Sequence, residues 1–204
     1  MRTDLYGLVH KAQRYHLFGF ARELSHADLD DAATRERLLG ELRAIAEMLV
    51  DHADNEERYI HPLYAALGDG ASRLTDDHRV LDAQLADWVR IAESGRWSDL
   101  YRASMRLIAE YVLHLDAEER AQADILWPGY TDAELGAVMA RFKAERSPAA
   151  ASKDLELMLP ALSAPELRAL LRGVRAAGGD AALDRARRLL SAERWAQVEQ
   201  AIAT

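Results

Sequence analysis

The sequence has no cysteine, which removes disulfides, thiolate metal sites and cysteine nucleophiles together. Any metal must then be held by imidazole and oxygen ligands. Only five prolines and eleven glycines are present in 204 residues, and they cluster between long runs of helical periodicity. A basic excess is also missing. Lys+Arg number 26 against 34 Asp+Glu, for a net charge of −8. Residues 1–128 hold 15 Lys+Arg and 24 Asp+Glu, a balance of −9, and residues 129–204 hold 11 and 10, a balance of +1. Neither half offers the positive field that a phosphate backbone demands, so nucleic acid is not an expected partner. No apolar stretch approaches the length of a membrane span. The opening MRTDLYGLVHK puts acid and histidine where a signal peptide needs an apolar run, so a cytoplasmic location without membrane partners is expected. Gly-rich phosphate loops, nucleophile elbows and dinucleotide fingerprints are lacking too.

What remains is 50% hydrophobic and 29% charged, ordinary for a globular chain long enough to bury a core. The periodicity predicts helices over 3–24, 33–67, 72–94 and 98–124. Asp30 or Asp31 is placed to cap the second and Ser98 the fourth, and Gly68, Gly70 and Gly95 stand at helix ends. Pro62 should kink the second helix or end it early. Short connections make successive helices antiparallel, so the fold class is all-α, an up-down-up-down four-helix bundle. After Trp127-Pro128-Gly129 the chain changes character. Thr131 with Glu134 and Ser163 with Glu166 form capping boxes for helices near 132–146 and 164–177. Two more short helices follow. Residues 1–128 are thus expected as the bundle, and 129–204 as a C-terminal helical extension packing on it.

Four inward seams carry polar residues where apolar ones belong. The second helix reads Leu38, Leu42, Ile45, Leu49, then His52 and Glu56, then Ile60 and Leu63. The fourth reads Leu100, Ser104, Leu107, Tyr111, then His114 and Glu118. The third reads Leu74, His78, Leu81, Leu85, Trp88, and on the first His10, Gln13, Leu17, Phe20 and Leu24 share a face. Steps of three and four mark a buried stripe, and i,i+4 spacing stacks each His over its Glu. His78 and His114 each lie 16 residues from the turn between their helices, about 24 Å at 1.5 Å per residue. Their depths match. An unpaired buried carboxylate costs several kcal/mol, and no lysine or arginine lies on these seams. Divalent cations resolve that cost. Six ligands suit two metals about 3.5–4 Å apart, with His10 and His52 on one, His78 and His114 on the other, and Glu56 and Glu118 bridging. Such ligation suits two iron ions, with manganese and zinc also compatible.

These residues resemble the hemerythrin-like, or HHE cation-binding, family. The resemblance is carried by Leu8-Val9-His10-Lys11, by His52-Ala53-Asp54-Asn55-Glu56-Glu57 with Pro62 beyond it, by His78, and by His114-Leu115-Asp116-Ala117-Glu118-Glu119. It spans about residues 1–125. It implies a non-haem diiron centre that binds dioxygen or another small diatomic ligand, or senses oxygen, iron or redox state. Where the family often has an aromatic residue before the proline, this chain has His61.

Oxygen-carrying members have two histidines at i,i+4 on the third helix, whereas four residues either side of His78 stand Leu74 and Asp82. Asp82, or Glu110 one turn before His114, could supply oxygen instead. Otherwise a coordination position stays open and favours reactivity. Glu57, Glu119, Tyr59, Tyr111 and His61 are candidates to orient ligands or relay protons. The expected function is binding or sensing of a diatomic ligand. A diiron oxidase or oxygenase is the alternative, with the C-terminal helices forming part of a pocket for a small-molecule substrate. A structural zinc site is the third reading.

Overall fold

In the computed structural model, which describes residues 2–68, 72–176 and 178–203, no strand occurs among the described residues. The main helices of the first part are α1 (Gly7–His26), α2 (Ala32–Tyr59), α3 (His61–Ala66), α4 (Ser72–Glu93) and α5 (Trp97–Ala121). A π-turn (Gln122–Leu126), the single turn α6 (Trp127–Gly129) and α7 (Asp132–Glu145) follow. Then come α8 (Pro148–Met158), α9 (Ala164–Ala176), α10 (Asp180–Leu189) and α11 (Ala192–Ala203). No helix among the described residues is long and apolar enough to cross a membrane.

Helix α1 packs on α2 and α5, and α4 packs on the same two, which closes a ring of four. The start of α1 meets the end of α5 at His10 and Glu119. The start of α4 meets the end of α2 at His78 and Glu57. Neighbours therefore run antiparallel, as the short connections require. The seams close on an apolar interior of Leu17, Phe20, Leu38, Leu42, Leu49, Leu100 and Trp88, all essentially buried. The Trp88 indole N–H donates to Ser104 Oγ at 2.7 Å, so the one polar atom of that side chain has an acceptor in the core.

Local signals explain most of the boundaries. Asp31 caps α2, accepting the Thr34 N–H at 2.8 Å. Gly68 and Gly95 take φ of 80° and 71°, the left-handed conformation that ends a helix without a Cβ clash; Gly70 lies outside the described residues. Pro62 stands in the first turn of α3, and Ile60 is the junction between α2 and α3. Ser98 does not cap α5, which starts one residue earlier at Trp97 with no side-chain cap. Thr131 and Glu134 form the expected reciprocal box, with Thr131 N–H to Glu134 Oε2 at 2.8 Å and Glu134 N–H to Thr131 Oγ1 at 3.3 Å.

The chain divides into units Met1–Phe142 and Lys143–Thr204, so the first unit runs past the expected boundary at 128. Leu135 joins Tyr59, Tyr64, Leu126 and Tyr6 in one apolar cluster, with Val138, Met139 and Phe142 packed against it. The N-terminal segment is clasped to the same region. Leu5 N–H donates to Gln122 Oε1 at 2.7 Å, and the Trp127 indole donates to the Thr3 carbonyl at 2.9 Å. The second unit has a core of its own, including Leu155, Leu159, Leu167, Leu171, Leu183 and Val198. There Ser163 and Glu166 pair as expected, and Gly178 takes a φ of 73°.

Candidate metal centre

The polar seam residues of all four bundle helices meet at one depth. His10, Glu56, His78, His114 and Glu118 are buried, and His52 is nearly so. Glu56 Oε1 lies 2.8 Å from His52 Nε2 and 3.5 Å from His10 Nε2, whereas its Oε2 lies 3.3 Å from His78 Nε2. Glu118 mirrors this. Its Oε2 is 3.4 Å from His10 Nε2, and its Oε1 is 3.4 Å from His78 Nε2 and 3.0 Å from His114 Nε2. Each carboxylate thus turns one oxygen to the His10 side and the other to the His78 side.

Closeness is matched by hydrogen bonding only in part, at His78 Nε2 and Glu118 Oε1. Both oxygens of Glu56, Oε2 of Glu118 and Nε2 of His10 and His52 are buried with no aligned hydrogen-bond partner among the described residues. Imidazole nitrogens and carboxylate oxygens crowded without partners at a shared space are what a cation can satisfy. One atom each from His10, His52, Glu56 and Glu118 lie within 4.8 Å of one another. So do atoms from Glu56, His61, His78 and Glu118. The donor set therefore fits metal ions.

The outer nitrogens are held from behind. His10 Nδ1 lies 2.9 Å from Glu119 Oε1, which Arg14 also approaches at 2.7 Å. His78 Nδ1 lies 3.2 Å from Glu57 Oε1. The second glutamate of each His-x-x-x-Glu-Glu run therefore serves a histidine on another helix, α2 supporting α4 and α5 supporting α1. With Nδ1–H donated to a carboxylate, the Nε2 lone pair is aimed inward. His114 Nδ1 lies 3.8 Å from Asp77 Oδ2.

Electrostatics follow from this packing. Burial would lower His10, but Glu119, Glu56 and Glu118 beside it raise it to about 9. Burial likewise opposes the charge of His78, and Glu118 with Glu56 raises it to about 10. Burial would raise Glu56, yet the surrounding His52, His10 and His78 hold it well below the carboxylate range. His10, against the opposing effect of burial and with help from Arg14, brings Glu119 down to about 2. Burial and then the Glu56 charge push Tyr6 and Tyr111 well above the ordinary phenol value.

Two of the sequence-derived candidates do not reach this space. Asp82 and Glu110 are exposed, and Glu110 accepts a hydrogen bond from Gln84 instead. The α4 seam steps from His78 to Leu81, which turns Asp82 outward, and the α5 seam steps from Leu107 to Tyr111, which turns Glu110 outward. Tyr59 packs edge-on against Phe142, with ring centroids 5.5 Å apart, in the apolar cluster rather than in the His/Glu group. Tyr111 is buried with its ring 6.1 Å from His114. His61 is buried and stacks on His78, centroids 5.1 Å apart and planes 19° from parallel. Burial, then the neighbouring charge of His78, lowers its affinity for a proton.

One neighbour escaped the sequence reading. Tyr6 is fully buried, its ring lies 4.8 Å from that of His10, and its hydroxyl is 3.4 Å from that of Tyr64. Its place four residues before His10 on the same face was the available signal.

A family model described as Hemerythrin HHE cation binding domain matches residues 3–126. The chain belongs to that family. Neither a curated protein nor a solved structure gives a match to it.

Proposed function

We propose that this HHE cation-binding protein holds two non-haem iron ions between Glu56 and Glu118 and binds or senses dioxygen or another small diatomic ligand there. The observation that carries the reading is the division of each carboxylate, one oxygen facing His10 and the other facing His78. A carboxylate so placed can bridge two ions, whereas a single ion would draw both oxygens to one side. His10 and His52 would hold one ion, and His78 and His114 the other. Imidazole with carboxylate suits iron, and manganese or zinc would accept the same donors.

Bound as a reduced pair, iron would supply electrons and a coordination position for a diatomic ligand. The chain supplies the rest. Glu119 and Glu57 would hold a proton of His10 and His78 on Nδ1, so that Nε2 is the nitrogen an ion takes. Arg14 anchors Glu119 from the outside. Tyr6, packed on His10, and the buried Tyr111 close the interior around the ligands and exclude bulk water.

The test is metal content followed by air exposure. Protein purified without added metal should contain two iron ions per chain, and Glu56→Gln or Glu118→Gln should lower that content. After anaerobic reduction, air should produce a lasting visible band. Rapid loss of the band, accelerated by a small-molecule substrate, would favour a diiron oxidase or oxygenase. A colourless protein carrying zinc would favour a structural site, and one metal or none per chain would overturn the dinuclear reading.

A further inference from the structure

We infer that His61 is a fifth imidazole ligand, bound through Nε2 to the ion beside His78, so that the two halves of the centre are unequal. The inference rests on the dinuclear reading above and goes further by assigning a donor from outside the two His-x-x-x-Glu runs and the lone His10 and His78.

Three observations carry it. First, His61 is 7% exposed and its Nε2 has no hydrogen-bond partner among the described residues. A buried ring nitrogen in that state is costly unless something accepts its lone pair. Second, Nδ1 lies 3.1 Å from the Thr75 hydroxyl. A proton on Nδ1 donated to that oxygen leaves Nε2 as the bare donor, the tautomer that a metal ligand needs. Third, one donor atom of His61 lies within 4.8 Å of donor atoms from Glu56, His78 and Glu118.

The backbone explains how a residue off the seam arrives there. In an unbroken α2, the stripe through Glu56 would continue at Ile60 and Leu63. The helix instead stops at Tyr59 and restarts as α3 at His61, with Pro62 in its first turn. Pro62 cannot donate an N–H to a continuing helix. The new helix buries His61 and Tyr64, while Leu63 is only partly buried. Ile60 stays buried as well, so the break widens the inward face by one residue, and the widening brings in the imidazole. A packing role alone would use the ring's stacking on His78 but would not require a free Nε2.

The full-length chain, titrated anaerobically with Co(II), tests this. Wild type should take two equivalents. His61→Phe keeps a flat ring against His78 but has no lone pair. It should leave the first equivalent within about twofold and weaken the second by about tenfold or more, with stronger d–d absorption as the coordination number falls. His61→Ala should show the same loss, recovered by added imidazole. On the wild-type Co(II)-loaded chain, hyperfine-shifted imidazole N–H resonances should include that of His61, a readout that requires no variant to fold. Unchanged second-site affinity in His61→Phe, or an unshifted His61 resonance, would overturn the inference alone. Fewer than two equivalents in wild type would overturn the dinuclear reading, and this inference with it.

Discussion

Loading the centre should expel about two protons per chain at pH 7, because metal and proton compete for the same lone pairs. In the metal-free protein His10 sits at about 9 and His78 at about 10. At pH 7 both are therefore protonated almost completely. An ion that takes Nε2 of either ring must displace that proton. The summed log affinity for two ions should then rise by about two per pH unit up to pH 9, by about one up to pH 10, and flatten beyond. Zinc, which is redox-silent, is the suitable probe. Calorimetric titrations in buffers of different ionisation heat give the proton count directly. The same groups set the stability of the metal-free chain. Folded values above the ordinary 6.5 mean that the folded state binds protons more tightly than the unfolded state. The contribution is complete below pH 6.5 and is lost as pH rises through 9 and 10. For His10 a rise from 6.5 to about 9 corresponds to on the order of 3 kcal/mol. Metal-free protein should therefore melt at lower temperature at pH 10 than at pH 7. Release of fewer than one proton, or a metal-free melting temperature that does not fall between those pH values, would refute the reasoning.

Removing the support behind a ligand should be felt at the metal. Glu119→Gln takes the carboxylate from His10 Nδ1 and should weaken metal binding about 10–100-fold in chelator competition. Ser104→Ala leaves the buried Trp88 indole without its acceptor, and urea unfolding should register a loss of about 1–3 kcal/mol. In the second unit Leu171 is fully buried in the apolar cluster. Leu171→Ala should cost about 2–5 kcal/mol, read as an earlier unfolding transition.

The bundle and its polar heart were legible because helical spacing converts directly into facing. His52 with Glu56 and His114 with Glu118 occupy stripe positions, and a short turn between α4 and α5 brings His78 level with His114. Facing was misjudged where the stripe departs from a uniform step. Asp82, placed by an i,i+4 analogy, sits on α4 where the seam advances by three, so it faces outward. His61 was legible as a candidate to orient ligands or relay protons, but its facing was not, because the geometry of the break at Ile60 depends on how α3 packs. The π-turn at Gln122–Leu126 adds residues to a turn without disturbing composition, so no periodic signal marks it. The first unit's extension to Phe142 depends on which apolar surface meets Leu135 and Met139. That partner, built from Tyr6, Tyr59, Tyr64 and Leu126, is assembled from three segments distant in sequence.

The clasp between residues 2–5 and 122–132 brings together the two ends of the sequence stretch that builds the metal site. Arg2 reaches the carbonyl of Tyr130 at 2.6 Å, and the Thr3 N–H reaches Asp132 at 2.8 Å. Topologically that stretch is nearly a closed circle. A short linker could weld its ends and a fresh cut could be opened at Ser94-Gly95, giving a circular permutant whose four His- and Glu-bearing helices keep their neighbours.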